Sequence, residues 1–352
     1  MDATTVAVDL AKSVFQVAVA DGTGRIASSH RLSRTQFERF FANRTADQVV
    51  MEACGSAHYW ARSLQAQGFA VRLLPPTHVR RYCLRNKTDA ADCAALLEAN
   101  RNPKIHDVRV KSVEQQALQA LHRTRSQWMA TRTQRINALR GFCREFGLPI
   151  AVGARTGLRA ISQLVADPES AIPLLLRPAM TLVLQEVLDL ERRIAQLERE
   201  LTEVARHSNA CQLLLSIPGV GLLTATALVA AIGTDVSRFA NGRQLAAWIG
   251  LTPKEHSSGQ TRRLGSITRA GDRYLRTLLT HGARSVLQAA TRSQNAGRRC
   301  EGLRAWALGV LQRSNANKAT CALANKLARI CFATLRHQQR FDEQRATRAR
   351  AD

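Results

Sequence analysis

The first hundred residues are cut into short apolar runs by turn residues, and two of those runs close on a carboxylate. Residues 6–9 read VAVD, and residues 14–20 form a second β-like run. The turn Asp21-Gly22-Thr23-Gly24 lets residues 25–32 return as a third strand. Phe37, Phe40 and Phe41 mark a short amphipathic helix, and residues 49–52 (VVME) are a strand that again ends in an acid. Residues 59–67 suit a helix, and residues 71–74 a strand stopped by Pro75-Pro76. A chain punctuated in this way has room for strands and short helices, not for a helical bundle.

Three meandering strands followed by alternating helix and strand is the element order of an RNase H-like α/β sheet. After about residue 110 the strand signals stop. Leu118, Leu121, Arg125, Trp128, Arg132, Arg135 and Arg140 lie in a long helical pattern with an Arg-rich face. Val187, Leu190, Ile194, Leu197, Leu201 and Val204 alternate spacings of three and four, a heptad seam. Such a seam packs either on a neighbouring helix of the same chain or on a second protomer, and the second is expected in the working complex. The expected organisation is an α/β domain over 1–108, a helical coiled-coil region over 109–209, a mainly α domain over 210–335 and a polar, frayed tail over 336–352.

Lys and Arg number 51 against 27 Asp and Glu, a formal charge of +24 in 352 residues. That excess calls for a polyanionic partner. From residue 210 onward there are 22 Lys and Arg against 7 Asp and Glu, so the excess is concentrated there. Arg suits phosphate recognition, although GC-rich codons also favour it. The eight Cys form no C-x-x-C pair and no zinc spacing, so reduced thiols in a cytosol are expected. The start of the chain, MDATTVAVDLAK, lacks the basic and apolar regions of a signal peptide. The longest uncharged run, 213–234, is broken by Pro218, Gly219 and Gly221. It reads as a buried hairpin of helices rather than a membrane span.

Asp9 and Glu52 end separate strands, and strand-end acids can converge on one point. Asp89 and Asp92 share one helix face by their spacing of three. Singly, Asp9 reads equally well as a helix cap, and Asp89 and Asp92 as solvated residues or partners of Arg85. Together, four carboxylates in one cleft call for a hard divalent cation such as Mg²⁺. The sugar-kinase use of such a sheet requires a Gly-rich phosphate cradle, whereas Asp9 is followed by Leu10-Ala11-Lys12-Ser13. Further on, Pro218-Gly219-Val220-Gly221 resembles a helix-hairpin-helix turn that contacts duplex backbone through Gly219 and Gly221. A Gly-rich turn inside a core is the alternative. Ser257-Ser258-Gly259 sits in a basic loop with Arg262 and Arg263, followed by Arg269, Arg273 and Arg276. The loop is either a nucleophile on phosphate or a phosphate contact without chemistry.

The strand ending at Asp9, Met51-Glu52-Ala53 and Lys87-Thr88-Asp89-Ala90-Ala91-Asp92 resemble the DEDD transposases of bacterial insertion sequences, a family that includes the Piv-type DNA invertases and the bridge-RNA-guided recombinases. The Pro-Gly-Val-Gly hairpin, Gly250-Leu251-x-Pro253, Ser258-Gly259 and the run from Ile267 through Gly271 to Leu275-Arg276 match its C-terminal part. Asn317-Lys318 and residues 326–330 fit its closing helix. Cys93, where a small Ala is usual, and Thr268-Arg269 depart from the pattern. The resemblance implies a RuvC-like domain in which Asp9, Glu52, Asp89 and Asp92 hold Mg²⁺. It also implies a C-terminal domain whose Ser258 forms a covalent 5′-phosphoserine, with Ser257 and Ser266 as alternatives. The implied partners are donor and target DNA, a structured noncoding guide RNA and further copies of the chain as a dimer or tetramer, with no membrane and a cytoplasmic location. A RuvC-like endonuclease that hydrolyses DNA with water and a non-catalytic nucleic-acid-binding protein are the competing functions.

Overall fold

The computed structural model describes residues 4–42, 44–83 and 88–343. The chain divides into two compact units, Met1–Val113 and Glu114–Asp352.

The first unit is α/β. Strands β1 (Thr5–Leu10), β2 (Val14–Ala20) and β3 (Ile26–Ser33) meander, and α1 (Arg34–Ala42) leads to β4 (Gln48–Glu52). Then come α2 (Ala57–Ala66), β5 (Val71–Leu74), the short α3 (Pro76–Val79) with a 3-10 turn over Arg80–Tyr82, and α4 (Asp89–Arg101). The sheet order is β3-β2-β1-β4-β5. The β1–β2 and β2–β3 pairs are antiparallel, and β1–β4 and β4–β5 are parallel. Side chains alternate across the sheet, and the two faces differ in size. One carries Val6, Val8, Phe15 and Met51 against Phe37, Phe41 and Trp60. The Phe15, Phe37 and Trp60 rings meet edge to face at 4.8–5.3 Å. The other carries Ala7, Ala18, Ala20 and Val50 against Cys93 and Leu96 of α4. The small side chains let α4 lie close to the sheet.

The second unit is mainly helical. It comprises α5 (Val113–Glu145, whose first residue closes the first unit), α6 (Ala154–Ala166), α7 (Arg177–His207), α8 (Asn209–Leu215), α9 (Leu222–Ile232) and α10 (Gly242–Ile249). A hairpin of β6 (Pro253–Glu255) and β7 (Leu264–Ile267) follows, then α11 (Arg273–Asn295), α12 (Gly302–Gln312) and α13 (Ala316–His337). Its main core joins α8 through α13, with Leu228, Leu245, Ile249, Leu279, Leu323 and Leu327 fully buried. Among the described residues no helix is long and apolar enough to cross a membrane. None of the eight Cys forms a disulfide among the described residues.

The structure corrects three sequence expectations here and gives the Arg-rich face its partners. Strands do occur beyond residue 110, because an exposed hairpin carries no apolar alternation to betray it. The heptad seam is buried within the chain and not by a second protomer. Leu197 and Leu201 pack with Leu118 of α5 and Ala230 of α9. The seam leaves the pattern at its end, where Ala205 is buried and Val204 is 40% exposed. The Arg-rich face of α5 is occupied by protein partners: Arg125 pairs with Glu198, Arg132 with Glu191 and Arg135 with Glu186 of α7. As one number rises the other falls, so α5 and α7 run antiparallel. Such partly exposed pairs are screened by solvent and set register more than stability. Finally, the tail is anchored as far as it is described. Helix α13 runs to His337, and Phe341 packs on the core with its N–H donating to Ser216 Oγ at 2.9 Å. Residues 344–352 lie outside the described residues.

One buried polar group ties three helices of this unit together. His122 of α5 bonds through Nε2 to Thr226 Oγ1 of α9 at 3.0 Å and through Nδ1 to the Tyr274 hydroxyl of α11 at 3.1 Å. Burial first, then the Arg125 charge, push the imidazole down from 6.5 to about 4. A folded pKa below the unfolded one means that the unfolded chain binds more protons between those values. Stability therefore falls as pH drops from about 6.5 towards 4. Replacing His122 with Asn should flatten the dependence of the denaturation midpoint on pH in that window. An unchanged slope would remove His122 from the linkage.

Candidate active site

All four acids belong to the first unit. The parallel register pairs Val8 with Met51, so the next residues, Asp9 and Glu52, stand side by side at the same end of the sheet. Asp89 and Asp92 occupy the first turn of α4, started by Thr88, whose Oγ1 accepts from Ala91 N at 3.2 Å. Helix α4 is placed by Cys93. Its Sγ lies 3.3 Å from the Gln16 carbonyl and 3.9 Å from that of Ala7, on β2 and β1. Gln16 is the β2 residue opposite Asp9. Burial pushes the Cys93 thiol up to about 12, opposed by a hydrogen bond from the Asp9 backbone. The negative charges of Asp9, Asp92 and Asp89 add to the rise. Asp92 Oδ1 accepts from Cys83 Sγ at 3.4 Å.

The acids thus share one end of the sheet and the helix across it. Their carboxylates are hard oxygen donors of the kind Mg²⁺ prefers. As the side chains stand, no three His, Cys, Asp or Glu among the described residues form a cluster that would hold a metal ion. Lys87, the first residue of that motif, and Arg85, a partner expected for Asp89 and Asp92, lie outside the described residues.

Ser258 belongs to the second unit, at the tip of the β6–β7 hairpin. Ser258 and Thr261 exchange backbone hydrogen bonds at 3.2 and 3.0 Å around Gly259, which has φ +53°. The three candidate serines differ. Ser257 Oγ donates to Glu255 Oε1 at 2.8 Å and accepts from Arg263 N at 3.1 Å. The exposed Ser258 hydroxyl has no hydrogen-bond partner among the described residues. Ser266 is also exposed but lies within β7, away from the turn. Arg262 is partly engaged, its Nε 3.6 Å from Glu255 Oε1.

Two motifs far apart in sequence meet at the foot of this hairpin. Gly250 ends α10 with φ +80°, and a Cβ there would overlap the Ala270 carbonyl oxygen. Gly271 has φ +86°, and a Cβ there would overlap the Trp248 carbonyl oxygen. The two backbones cross with no space for a side chain on either. Arg276 closes the crossing, its Nη1 donating to the Ile249 carbonyl at 2.9 Å and to the Ala270 carbonyl at 3.4 Å. Gly219 is likewise a packing residue, because a Cβ there would lie 2.8 Å from Val286 Cγ2 and 2.9 Å from the Gly282 carbonyl. Arg276 and Gly219, both expected on phosphate, thus contact protein. Gly221, Arg263, Arg269 and Arg273 are exposed.

Comparison with known proteins decides the family. Residues 6–146 match the DEDD-type transposase family of IS110 elements, and residues 211–297 match the family described as Transposase IS116/IS110/IS902. The chain belongs to the IS110 family of DEDD transposases. It is 42% identical over 339 residues to a probable family 20 transposase of Pseudomonas aeruginosa, covering 95% of this chain and 97% of the relative. It is 36% identical over 340 residues to the transposase of insertion sequence element IS1111A of Coxiella burnetii, covering 97% and 92%. A third relative, the transposase of element IS1328 of Yersinia enterocolitica, is 34% identical over 330 residues, covering 94% and 96%.

Sequence reasoning missed two residues of this transposase. Glu255 ties up the rival serine and Arg262, and its only signal was an acid isolated in a basic loop. Cys83 touches Asp92, and nothing in its spacing announced it. A Gly250→Ala transposase should lose roughly 3 kcal/mol or more of stability, because the overlap is with backbone and φ is positive. Wild-type thermal stability would show that the crossing is looser than described.

Proposed function

We propose that this transposase cuts and rejoins DNA through a covalent 5′-phosphoserine at Ser258, assisted by Mg²⁺. The observation that carries this reading is the contrast at the hairpin tip, where Ser257 is tied at both ends of its hydroxyl and Ser258 is presented without a partner. A Gly at the next position leaves room for a phosphate, with nothing within 4 Å of a Cβ there. In the step proposed, Ser258 Oγ forms a bond to phosphorus and the bond from phosphorus to the 3′ oxygen breaks. The serine proton passes to a carboxylate, and the departing oxygen is protonated as a 3′ hydroxyl. Attack of another 3′ hydroxyl on the phosphoserine reverses the step on a new strand, so the ester keeps the bond energy.

The sheet order and the position of α4 support a RuvC-like reading of the first unit. Asp9, Glu52, Asp89 and Asp92 are the residues that would hold the cation. Bound there, it supplies Lewis-acid stabilisation of a phosphate gaining charge. Arg262, Arg263, Arg269 and Arg273 neutralise phosphates around the serine. The acids and the serine belong to different units, which supports a composite site with acids from one protomer and serine from another. The far end of the α5–α7 hairpin offers apolar surface for such assembly, with Leu175 94% and Leu174 77% exposed. The charge of +24 and the low aromatic content, 5%, support binding of DNA and a structured guide RNA through phosphates, with base pairing choosing the site.

The test incubates the transposase with Mg²⁺, guide RNA and end-labelled target DNA and looks for a denaturation-resistant adduct. Ser258→Ala should eliminate it, and Ser257→Ala and Ser266→Ala should retain it. Asp92→Asn should lower strand cleavage by at least a hundredfold with duplex affinity within about threefold of wild type. Cleavage without any adduct in the wild type would favour the hydrolytic endonuclease, and cleavage by Asp92→Asn at the wild-type rate would remove the acids from the chemistry.

A further inference from the structure

Helix α11 is a 23-residue helix without a single acidic residue. Its buried side is Leu275, Leu279, Ala283, Val286, Leu287 and Ala290. The side away from them carries Arg273, Thr277, His281, Arg284, Gln288 and Arg292, all exposed. At 100° per residue these six fall within about 100° of one another, a single stripe roughly 28 Å long. Arg273, His281 and Arg284 have no side-chain partner among the described residues, and the one contact of the Arg292 side chain is with the Gln288 carbonyl of its own helix at 3.4 Å. These cations therefore differ from Arg125, Arg132 and Arg135 of α5, which are held by Glu side chains of α7.

We propose that this outer stripe of α11 is a sequence-independent track for the backbone of duplex DNA. The proposal rests on the reading that Ser258 acts on DNA, because the stripe begins at Arg273, six residues after the end of the serine-bearing hairpin. It carries no Phe, Tyr or Trp, and a lone His281 makes no stacking platform for successive unpaired bases, so the stripe suits a paired backbone. The stripe also replaces the glycine hairpin as the principal phosphate contact. Gly219 packs on Gly282, which faces away from the stripe. A straight track leading to the nucleophile would hold the flanking duplex in line while one strand is cut.

The experiment compares the full-length transposase with R284Q/R292Q, and with R155Q/R159Q as a control that removes the same charge from exposed positions of α6. Binding of a 40-bp duplex, a single strand of the same length and a stem-loop RNA is measured across a salt series. The stripe variant should bind duplex DNA at least tenfold more weakly whatever its sequence, with the log–log salt slope reduced by about 2. Unchanged duplex affinity and slope, an equal loss in the control, or a loss confined to RNA or to single strands would each overturn the assignment. Both substitutions lie on exposed positions, and an unchanged melting temperature confirms that the fold is intact. Adduct formation by the same variant at saturating DNA reports on Ser258 separately, so the track and the serine chemistry stand or fall independently.

Discussion

The contact that organises the first unit is the seating of α4 on a patch of small side chains. Ala7 and Ala18 leave space for Cys93 to reach the carbonyls of Ala7 and Gln16. A larger residue at any of these positions would lift the helix by a side chain's depth. The N-terminal turn of α4, and with it Asp89 and Asp92, would then leave the end of the sheet where parallel pairing of β1 and β4 has set Asp9 beside Glu52. Cys93 is thus accommodated as a buried thiol. That thiol stays protonated because burial and the surrounding carboxylates both oppose its ionisation.

The second unit carries Ser258 on an exposed loop. A short polar hairpin has little stability of its own. Here its base is clamped by the crossing of Gly250 and Gly271, closed by Arg276 and continued into α11 through the Asp272 cap, whose Oδ1 accepts from Tyr274 N and Leu275 N. Tyr274 in turn reaches His122, so the hairpin is linked through α11 to the long α5 helix. The parts that hold the loop are glycines, backbone carbonyls and one buried histidine, and Arg263, Arg269 and Arg273 stay on the outside.

Much of the first unit was legible because its strands obey simple rules. Residues 14–20 and 71–74 matched the observed bounds of β2 and β5, since apolar β-like residues and flanking turn or Pro residues mark both ends. The hairpin of β6 and β7 was not legible, because all three residues of β6 and the first three of β7 are exposed and no hydrophobic period records it. The heptad of α7 was legible as a seam but silent about its partner. A seam states that something apolar covers it, and only the Glu side chains beside it, matched to Arg125, Arg132 and Arg135, reveal that the cover is α5. The placement of the acids at one end of the sheet followed from strand order. Their approach to one another did not, because rotamers at a strand end leave no trace in spacing.

In the proposed reaction the work is divided between two units, acids on the sheet and serine on the hairpin, and assembly completes the site. Co-expression of Asp92→Asn and Ser258→Ala chains tests that division most directly. In a composite site formed between protomers, a mixed pair retains one intact site, with acids from the Ser258→Ala chain and serine from the Asp92→Asn chain. The account predicts that the mixture recovers a substantial fraction of wild-type adduct and strand exchange although each variant alone is inactive. A mixed oligomer, shown to form by differential tagging, that remains as inactive as its components would contradict it.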